Sequence, residues 1–322
     1  MAVARFVIRR LIAGLALLLV LSLLVFTLLV LSPGTPLQAL LGTRSATPEL
    51  VDQLRAQYHL NEPFAEQYLH WLAGAAHLDL GQSITVQAGT PVSDVIYGRM
   101  AVTVQLAVYC LLIVVLFGVP LGLAAGIRRG RATDRAITLF ATVGLGAPVF
   151  ALSIVLLYVF GVALDWFPVY GAGEGGIADR ITHLTLPAVT LATVLCAVVI
   201  RQTRAATLDV MRQDYITFAR LRGLSPTRVV LHYVLRTCAL PVVTSAGTLL
   251  IAPLSAGVFI EQVYSLPGEG SLLLSAVTAK DIPVVQGLAL LIGAFVVLVN
   301  LLVDLAGYLL DPRLRAHAAG EL

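Results

Sequence analysis

Charged residues are scarce in this chain of 322 residues, of which 12% are Asp, Glu, Lys or Arg and 58% are hydrophobic. A soluble domain of ordinary composition carries about 25% charged residues. This shortage excludes an ordinary soluble domain and indicates a protein that resides in a lipid bilayer. The formal net charge of +3 is small, and we expect no nucleic-acid partner.

Lysine is almost missing as well. Its only occurrence, Lys280, lies between Ala279 and Asp281, whereas an ATP-binding Walker A loop requires Gly-Lys-Ser/Thr. The sequence also lacks His-Glu-x-x-His and Gly-x-Ser-x-Gly. We therefore expect no enzyme activity, no metal and no cofactor in this chain. The cysteines lack metal-ligand or disulfide spacing and are interpreted as small packing residues: Cys110, Cys196 and Cys238.

Six apolar stretches are long enough for a membrane-spanning helix, which needs about 20 residues to cross a hydrocarbon core of about 30 Å. They are Leu11–Leu31, Ala101–Ile127, Ile137–Ala163, His183–Ile200, Leu240–Ile260 and Pro283–Leu310. The first is longer than the apolar part of a signal peptide, and no small-residue cleavage pattern follows it. The sequence therefore predicts an all-α polytopic membrane protein with six transmembrane helices, the first of which is an uncleaved anchor.

Arginine is distributed unevenly between the predicted loops. Sixteen of the 21 basic residues fall at the two termini and in the second and fourth loops. The other five fall in the first, third and fifth loops: Arg44, Arg55, Arg99, Arg180 and Lys280. Because cytoplasmic loops collect Lys and Arg, we predict that both termini lie in the cytoplasm.

The predicted spans divide the chain into four segments: an anchor helix over 1–31, an external cap over 32–100, a transmembrane core over 101–310 and a cytoplasmic tail over 311–322. In the cap, one helix is predicted after Thr47-Pro48-Glu49 and another after Asn61-Glu62-Pro63, with a break at Leu78–Gly81. We interpret this segment as a small packed cap. The same surface is one that a substrate-delivery protein would meet.

Segment 207–239 of the core carries too many arginines to enter the bilayer. A helix is predicted over Thr207–Leu221, with a stop at Gly223. Ser225 and Pro226 then have the residue types of an N-cap and a first helical position. The pattern predicts a helix, a tight turn and a second helix on the cytoplasmic side.

Two small residues of this segment, Ala219 and Gly223, are four apart and would share a helix face. Small residues let another surface approach the backbone closely. A short rigid knob of this kind transmits force between a soluble motor and membrane helices. An ordinary loop between two spans is the alternative.

The sequence of Asp214–Ser225, DYITFARLRGLS, resembles the coupling motif of binding-protein-dependent ABC transporter permeases, in the form found in the dipeptide, oligopeptide and nickel group. The general motif begins Glu-Ala-Ala, whereas Thr217 and Phe218 occupy the first two positions here. The resemblance implies that the residues coupling to an ATPase are Asp214, Tyr215, Ala219, Gly223, Leu224 and Ser225.

Six other pieces resemble that family in the same order: 8–36, 78–83, 236–244, 261–270, 281–287 and 300–313. The resemblance implies a B-type permease subunit with the type I ABC importer fold in a bacterial inner membrane. It implies four kinds of partner: the lipid bilayer, a second permease subunit, two ATPase subunits that hold ATP and Mg, and an external substrate-binding protein.

The resemblance predicts import of di- or oligopeptides and leaves nickel complexes and glutathione as alternatives. A secondary transporter that works without ATP is less favoured because no internal repeat is visible. Asp304, inside the last predicted span, is interpreted as pairing with an arginine at the interface. Glycines and prolines of the second and third spans predict close helix packing or kinks, with packing favoured: Gly118, Pro120, Gly122, Gly126, Gly144, Gly146 and Pro148.

Overall fold

The computed structural model describes residues 2–30 and 62–310. Every regular element in these ranges is a helix, apart from one isolated β-bridge between Gln82 and Pro91. The helices are α1 (Ala2–Val30), α2 (Phe64–Ala76), α3 (Val92–Ile127), α4 (Ala132–Gly146), α5 (Val149–Ala163), α6 (Ile177–Met211), α7 (Asp214–Leu221), α8 (226–263), α9 (Glu269–Thr278) and α10 (Ile282–Leu310). Three of them contain a π-helical turn: Val114–Gly118 in α3, Leu157–Ala163 in α5 and Val230–Val234 in α8. The all-α prediction is confirmed for the described residues.

The chain forms two compact units. One consists of Met1–Val7, Thr103–Leu266 and Val299–Leu322, and the other of Ile8–Val102 and Pro267–Leu298. The helices α4 to α8 belong wholly to the first unit, whereas α2 and α9 belong to the second. Each unit is described by its own contacts below.

Among the described residues, four helices are long and apolar enough to cross a bilayer: Arg5–Leu28, Val92–Ile127, Ile177–Met211 and Ile282–Gly307. The pair α4 and α5 adds a fifth candidate if it is counted as one broken span. The predicted span Leu240–Ile260 lies inside the helix Leu235–Val263 of α8. A membrane protein with several spans is confirmed, and the number six stays a prediction.

The helices of two candidate spans extend beyond the predicted apolar stretches. The second begins at Val92 rather than Ala101, and the fourth covers Ile177–Met211 rather than His183–Ile200. The added start of α3 is held by a buried cluster with α9 and α10: Val92, Val95, Ile96, Leu272, Ala276, Val284, Val285 and Leu288. The hydropathy pattern therefore located the apolar part of α3, whereas the contacts of its first residues with α9 and α10 extend the helix to Val92.

The third predicted span, Ile137–Ala163, is divided between two helices, so the kink that was the less favoured alternative is present. The chain bends by 107° between α4 and α5, where Ala147 is extended (φ −80°, ψ 125°) before Pro148. Proline has no amide hydrogen and disfavours the helical conformation of the residue before it. Packing is nevertheless confirmed nearby, since a Cβ on Gly144 would lie 3.2 Å from the Thr193 carbonyl oxygen.

Glycines spaced by four residues bring α3 against α6: Gly118, Gly122 and Gly126. A Cβ added to Gly122 would lie 2.7 Å from the Thr203 Cβ and 2.9 Å from the Ile200 carbonyl oxygen. A Cβ on Gly126 would lie 2.5 Å from the Thr207 Cβ. Small residues permit such close backbone approach between membrane helices, so the prediction of packing is confirmed at these positions.

In the second unit, α2 packs its aromatic side chains on α1. The Phe26 ring lies 5.4 Å from the Phe64 ring, 5.5 Å from Tyr68 and 6.0 Å from Trp71. The Tyr68 hydroxyl is 2.8 Å from Ser22 Oγ. The helix predicted after Pro63 is thus confirmed, whereas the one predicted after Thr47-Pro48-Glu49 lies outside the described residues.

The predicted break at Leu78–Gly81 is followed by a loop that is fastened to a carboxylate before α10. The buried Asp281 accepts hydrogen bonds from Ser83 Oγ (2.6 Å) and from the amides of Ile84 (3.1 Å), Thr85 (2.9 Å) and Val86 (2.9 Å). Burial acts to raise the pKa of Asp281, but the hydrogen bonds from Ser83 and these amides outweigh it and hold the pKa below its ordinary value. Two separate pieces of the family resemblance, 78–83 and 281–287, therefore meet in space.

The first prediction concerns Gly122→Ala. We expect it to lower the free energy of unfolding by about 1–3 kcal/mol, because the added methyl group collides with backbone and side chain of α6. Thermal unfolding of the purified chain in detergent measures this. Gly146→Ala is the matched control, since a Cβ there has nothing within 4 Å; equal melting temperatures for the two variants would contradict the close contact.

The second prediction concerns acid stability. Because the pKa of Asp281 is lower in the folded chain, its contribution is complete above the unfolded pKa and is lost as the pH falls through the folded pKa. Asp281→Asn should therefore lower the melting temperature at pH 7 and flatten its decline below pH 4. Asp94→Asn, at an exposed position of α3, is the control and should change the melting temperature at pH 7 much less. An unchanged acid profile in Asp281→Asn would refute the assignment.

Candidate functional site

The predicted coupling segment contains a short helix, α7, set off from the end of α6. The predicted continuous helix Thr207–Leu221 is wrong, because α6 ends at Met211 and Gln213 is extended (φ −74°, ψ 145°). The chain turns there and α7 begins with Asp214, whose carboxylate in the first turn is favourable at a helix N-terminus. The turn makes α7 a separate rod of eight residues.

The predicted stop and restart after α7 are confirmed in detail. Gly223 has φ +77°, its amide donates to the Arg220 carbonyl (2.9 Å), and the Leu224 amide donates to the Ala219 carbonyl (3.2 Å). This pair of bonds is the Schellman motif that ends helices at a left-handed residue. Ser225 Oγ then caps the next helix by accepting from the Arg228 amide at 3.4 Å.

The inner face of α7 is anchored in a hydrophobic cluster. The buried members come from the end of α6, from α7 and from the start of α8: Val210, Ile216, Ala219, Val229 and Val234. Leu224, directly after the turn, packs against this cluster. Ala219 is only 4% exposed, and Gly223 lies beyond the end of the helix. The predicted shared face of Ala219 and Gly223 is therefore wrong, because Ala219 is used for internal packing.

The outer face of α7 is also apolar. Tyr215, Phe218 and Leu221 recur every third residue and are 42%, 65% and 78% exposed. Asp214 and Ser225 are exposed beside them. The helix therefore exposes large apolar side chains on the side that faces away from the buried cluster, and exposed apolar patches of this kind are typical of protein–protein contact sites.

Two of these residues, Phe218 and Leu221, are absent from the predicted coupling set. The signal was available in the sequence, because both stand at helical spacing from Tyr215 in an arginine-rich segment. The resemblance directed the prediction to the residues that this segment shares with the coupling motif, and to its small residues Ala219 and Gly223. Among the predicted residues, Tyr215 and Asp214 lie on the outer face, whereas Ala219 and Leu224 pack inward.

Aromatic stacking ties α7 to the helix that follows it. The rings of Tyr215 and Tyr233 lie 6.1 Å apart at an interplanar angle of 29°. Tyr233 belongs to the π-helical turn of α8, which continues without a break into the helix Leu235–Val263. The buried cluster therefore connects α7 to α6, and the stacked rings connect it to α8.

An ion pair joins the start of α4 to α6 near the same end of the unit. Arg204 donates from Nε to Asp134 Oδ1 (2.7 Å) and from a terminal nitrogen to Oδ2 (3.0 Å). The buried Asp134 also accepts from the Gly130 amide at 2.8 Å. Sequence reasoning assigned no partner to Arg204, because the two residues are 70 positions apart along the chain.

No group of three or more His, Cys, Asp or Glu side chains with metal-binding geometry is found in the described ranges 2–30 and 62–310. Cys110 and Cys196 are buried free thiols. The side chains of Cys238 and Arg236 lie outside the described part.

Comparison with known proteins yields two adjoining family matches. The family described as binding-protein-dependent transport system inner membrane component matches residues 118–316, and its N-terminal companion, a membrane component of the same systems, matches residues 3–107. Together they cover most of the chain, including the whole of α7.

Curated relatives match over nearly their full length. The dipeptide transport system permease protein of Escherichia coli K12 is 33% identical over 336 residues, covering 97% of this chain and 98% of the relative. The oligopeptide transport system permease protein of Bacillus subtilis 168 is 34% identical over 315 residues, covering 97% and 99%. The di/tripeptide transport system permease protein of Pseudomonas aeruginosa UCBPP-PA14 is 33% identical over 316 residues, covering 91% and 94%.

These matches agree with the apolar helices and with the pieces of family resemblance at both ends of the chain. The chain belongs to the family of binding-protein-dependent transport system inner membrane components, the multi-pass membrane permeases of ABC importers.

Proposed function

We propose that this chain is the B-type permease subunit of an ABC importer that carries di- or oligopeptides across the bacterial inner membrane. The relatives named for dipeptide, di/tripeptide and oligopeptide transport support the solute class. ATP and Mg bind to two separate ATPase subunits, an external binding protein delivers the solute, and a second related permease completes the path.

The proposed topology has six spans with both termini in the cytoplasm, as in the type I importer fold. The arginine distribution supports this orientation. The interval Leu240–Ile260, helical within α8, supplies the sixth span. The broken pair α4 and α5 then crosses the bilayer as one bent span.

The observation that carries the proposal is that α7 is anchored by buried residues and also exposes large apolar residues. Its inner face is fixed by Ile216 and Ala219, while Phe218 and Leu221 are exposed away from that cluster and Tyr215 is exposed at its edge. In the proposed mechanism an ATPase subunit binds the exposed face. Closure of the two ATPases moves α7, and α6 and α8 follow because they share its cluster.

The predicted coupling residues divide into two roles in this mechanism. Asp214 and Tyr215 contact the ATPase. Ala219, Gly223, Leu224 and Ser225 hold the helix and its turn in place, through packing, a left-handed conformation and an N-cap. Variants in the first group should uncouple transport, whereas variants in the second should also loosen the segment.

The third prediction concerns Phe218→Gln. Because the side chain is exposed, we expect the melting temperature of the chain to stay unchanged. We expect ATP-driven uptake in proteoliposomes to fall at least tenfold, together with recovery of the ATPase subunits in a detergent pull-down. Phe218→Leu, which keeps an apolar side chain, and Thr217→Ser, at the exposed neighbour, are the controls. Normal uptake in Phe218→Gln would remove this face from the mechanism.

The fourth prediction concerns Gly223. A side chain finds no atom within 4 Å there, but the positive φ makes most residues unfavourable by about 1–2 kcal/mol. Gly223→Arg should therefore insert into the membrane with modest loss of stability and abolish uptake. Gly223→Asn, which tolerates this conformation, should retain most of the uptake.

One experiment separates the proposed importer from an ATP-independent transporter. The tagged chain is purified from native membranes in mild detergent, and its partners are identified by mass spectrometry. A second permease and Walker A proteins support the importer. Recovery of the chain alone, with solute uptake in liposomes that needs no ATP, would overturn it. Competition of uptake by dipeptides, glutathione and nickel complexes then decides the solute class.

A further inference from the structure

Four arginines lie within eight residues, three in the tight turn between α3 and α4 and one in the first turns of α4: Arg128, Arg129, Arg131 and Arg135. All four side chains are exposed. The turn directly follows the last residue of a candidate span, Ile127. The arginines therefore stand where a helix leaves the hydrocarbon core and enters the layer of lipid headgroups.

These four guanidinium groups have no ion pair or hydrogen bond with any other residue in the described part of the chain. The acid closest in sequence, Asp134, is already paired with Arg204 through two hydrogen bonds of 2.7 and 3.0 Å. The charges of Asp134 and Arg204 cancel each other. The turn is left with a concentrated positive charge that the described residues do not neutralise.

The backbone that presents the arginines is fixed before any ligand binds. Gly130 takes the left-handed conformation (φ +78°), and its amide donates to Asp134 Oδ2 at 2.8 Å. The Arg131 amide donates to the Arg128 carbonyl at 3.0 Å. A site held in its binding conformation loses less entropy when a ligand binds.

An exposed apolar stripe continues from the arginines along α4. Arg135, Leu139 and Val143 are spaced by four residues, so they lie on one face of the helix. Leu139 is 65% and Val143 63% exposed. The stripe runs for about 12 Å at the helical rise of about 1.5 Å per residue, starting with a cation and continuing with hydrocarbon.

We propose that this turn and stripe form a binding site for an anionic phospholipid. The phosphodiester accepts hydrogen bonds from the guanidinium groups of the turn, which match a phosphate in charge and in paired geometry. One acyl chain lies along Leu139 and Val143. A zwitterionic lipid of the same chain length gains the apolar contact without the net charge, so it binds more weakly.

The test uses the full-length chain in detergent, with palmitoyl-oleoyl phosphatidylglycerol or the matching phosphatidylcholine added at increasing concentration. Native mass spectrometry counts bound lipids, and the melting temperature reports stabilisation by a ligand of the folded state. The neutral variant combines Arg128→Gln, Arg129→Gln and Arg131→Gln. The matched control replaces the same three residues by Lys and keeps the charge.

Each basic residue close to an anionic surface is worth about fivefold in affinity. We expect the wild-type chain to prefer phosphatidylglycerol, the neutral variant to lose at least tenfold of that affinity, and the Lys variant to lose less. Equal affinity of the wild-type chain for both lipids would overturn the proposal. So would undiminished phosphatidylglycerol binding in the neutral variant.

Removal of three positive charges can also disturb membrane insertion. Arg135→Gln and Leu139→Gln are therefore tested singly, since each leaves the other charges in place and each should reduce phosphatidylglycerol binding. The ATPase subunits are followed in the same preparations by pull-down. Loss of the ATPases with unchanged lipid preference would make the turn a protein-docking surface and overturn the lipid assignment.

Discussion

The close contact of α3 with α6 is the constraint on which the rest of the larger unit depends. Membrane helices gain little from burying apolar surface, because lipid is as apolar as the protein interior, so they associate through close packing and polar contacts. Gly122 and Gly126 provide the close packing between α3 and α6, because neither position has room for a side chain. The paired Asp134 and Arg204 provide a polar contact between α4 and the C-terminal part of α6. With α6 fixed in this way, its last turn becomes a stable base for α7.

The sequence predicted the elements of the fold better than their limits and their contacts. Apolar length located the spans, and Gly223, Ser225 and Pro226 located the turn after α7, because those signals are local. At Pro148 the sequence left two alternatives open, a kink or close packing, and it did not predict the bend itself. The hydrogen bond between Ser83 and Asp281 could not be predicted from the sequence, because no local pattern relates two residues that are 198 positions apart. Ala219 was assigned to an outer surface because alanine is compatible with both buried and exposed positions of a helix, so its residue type does not distinguish the two.

In the proposed mechanism, the short helix α7 contributes both to stability and to communication with the ATPase. Its buried side chains connect α6 to α8, so the helix cannot move independently of the two. Its exposed aromatic and aliphatic side chains contribute little to the stability of the isolated chain. Residues on the two faces therefore respond differently to substitution, which is how internal support and partner contact are distinguished experimentally.

The bond between Ser83 and Asp281 also has a consequence for biogenesis. The loop after α2 leaves the ribosome 198 residues before its carboxylate partner, a delay of about 10–40 s at synthesis rates of about 5–20 residues per second. Throughout that interval the amides of Ile84, Thr85 and Val86 lack the carboxylate that they bind in the folded chain. The loop after α2 is thus among the last parts of the chain to make its native contacts, although it is encoded in the first third of the message.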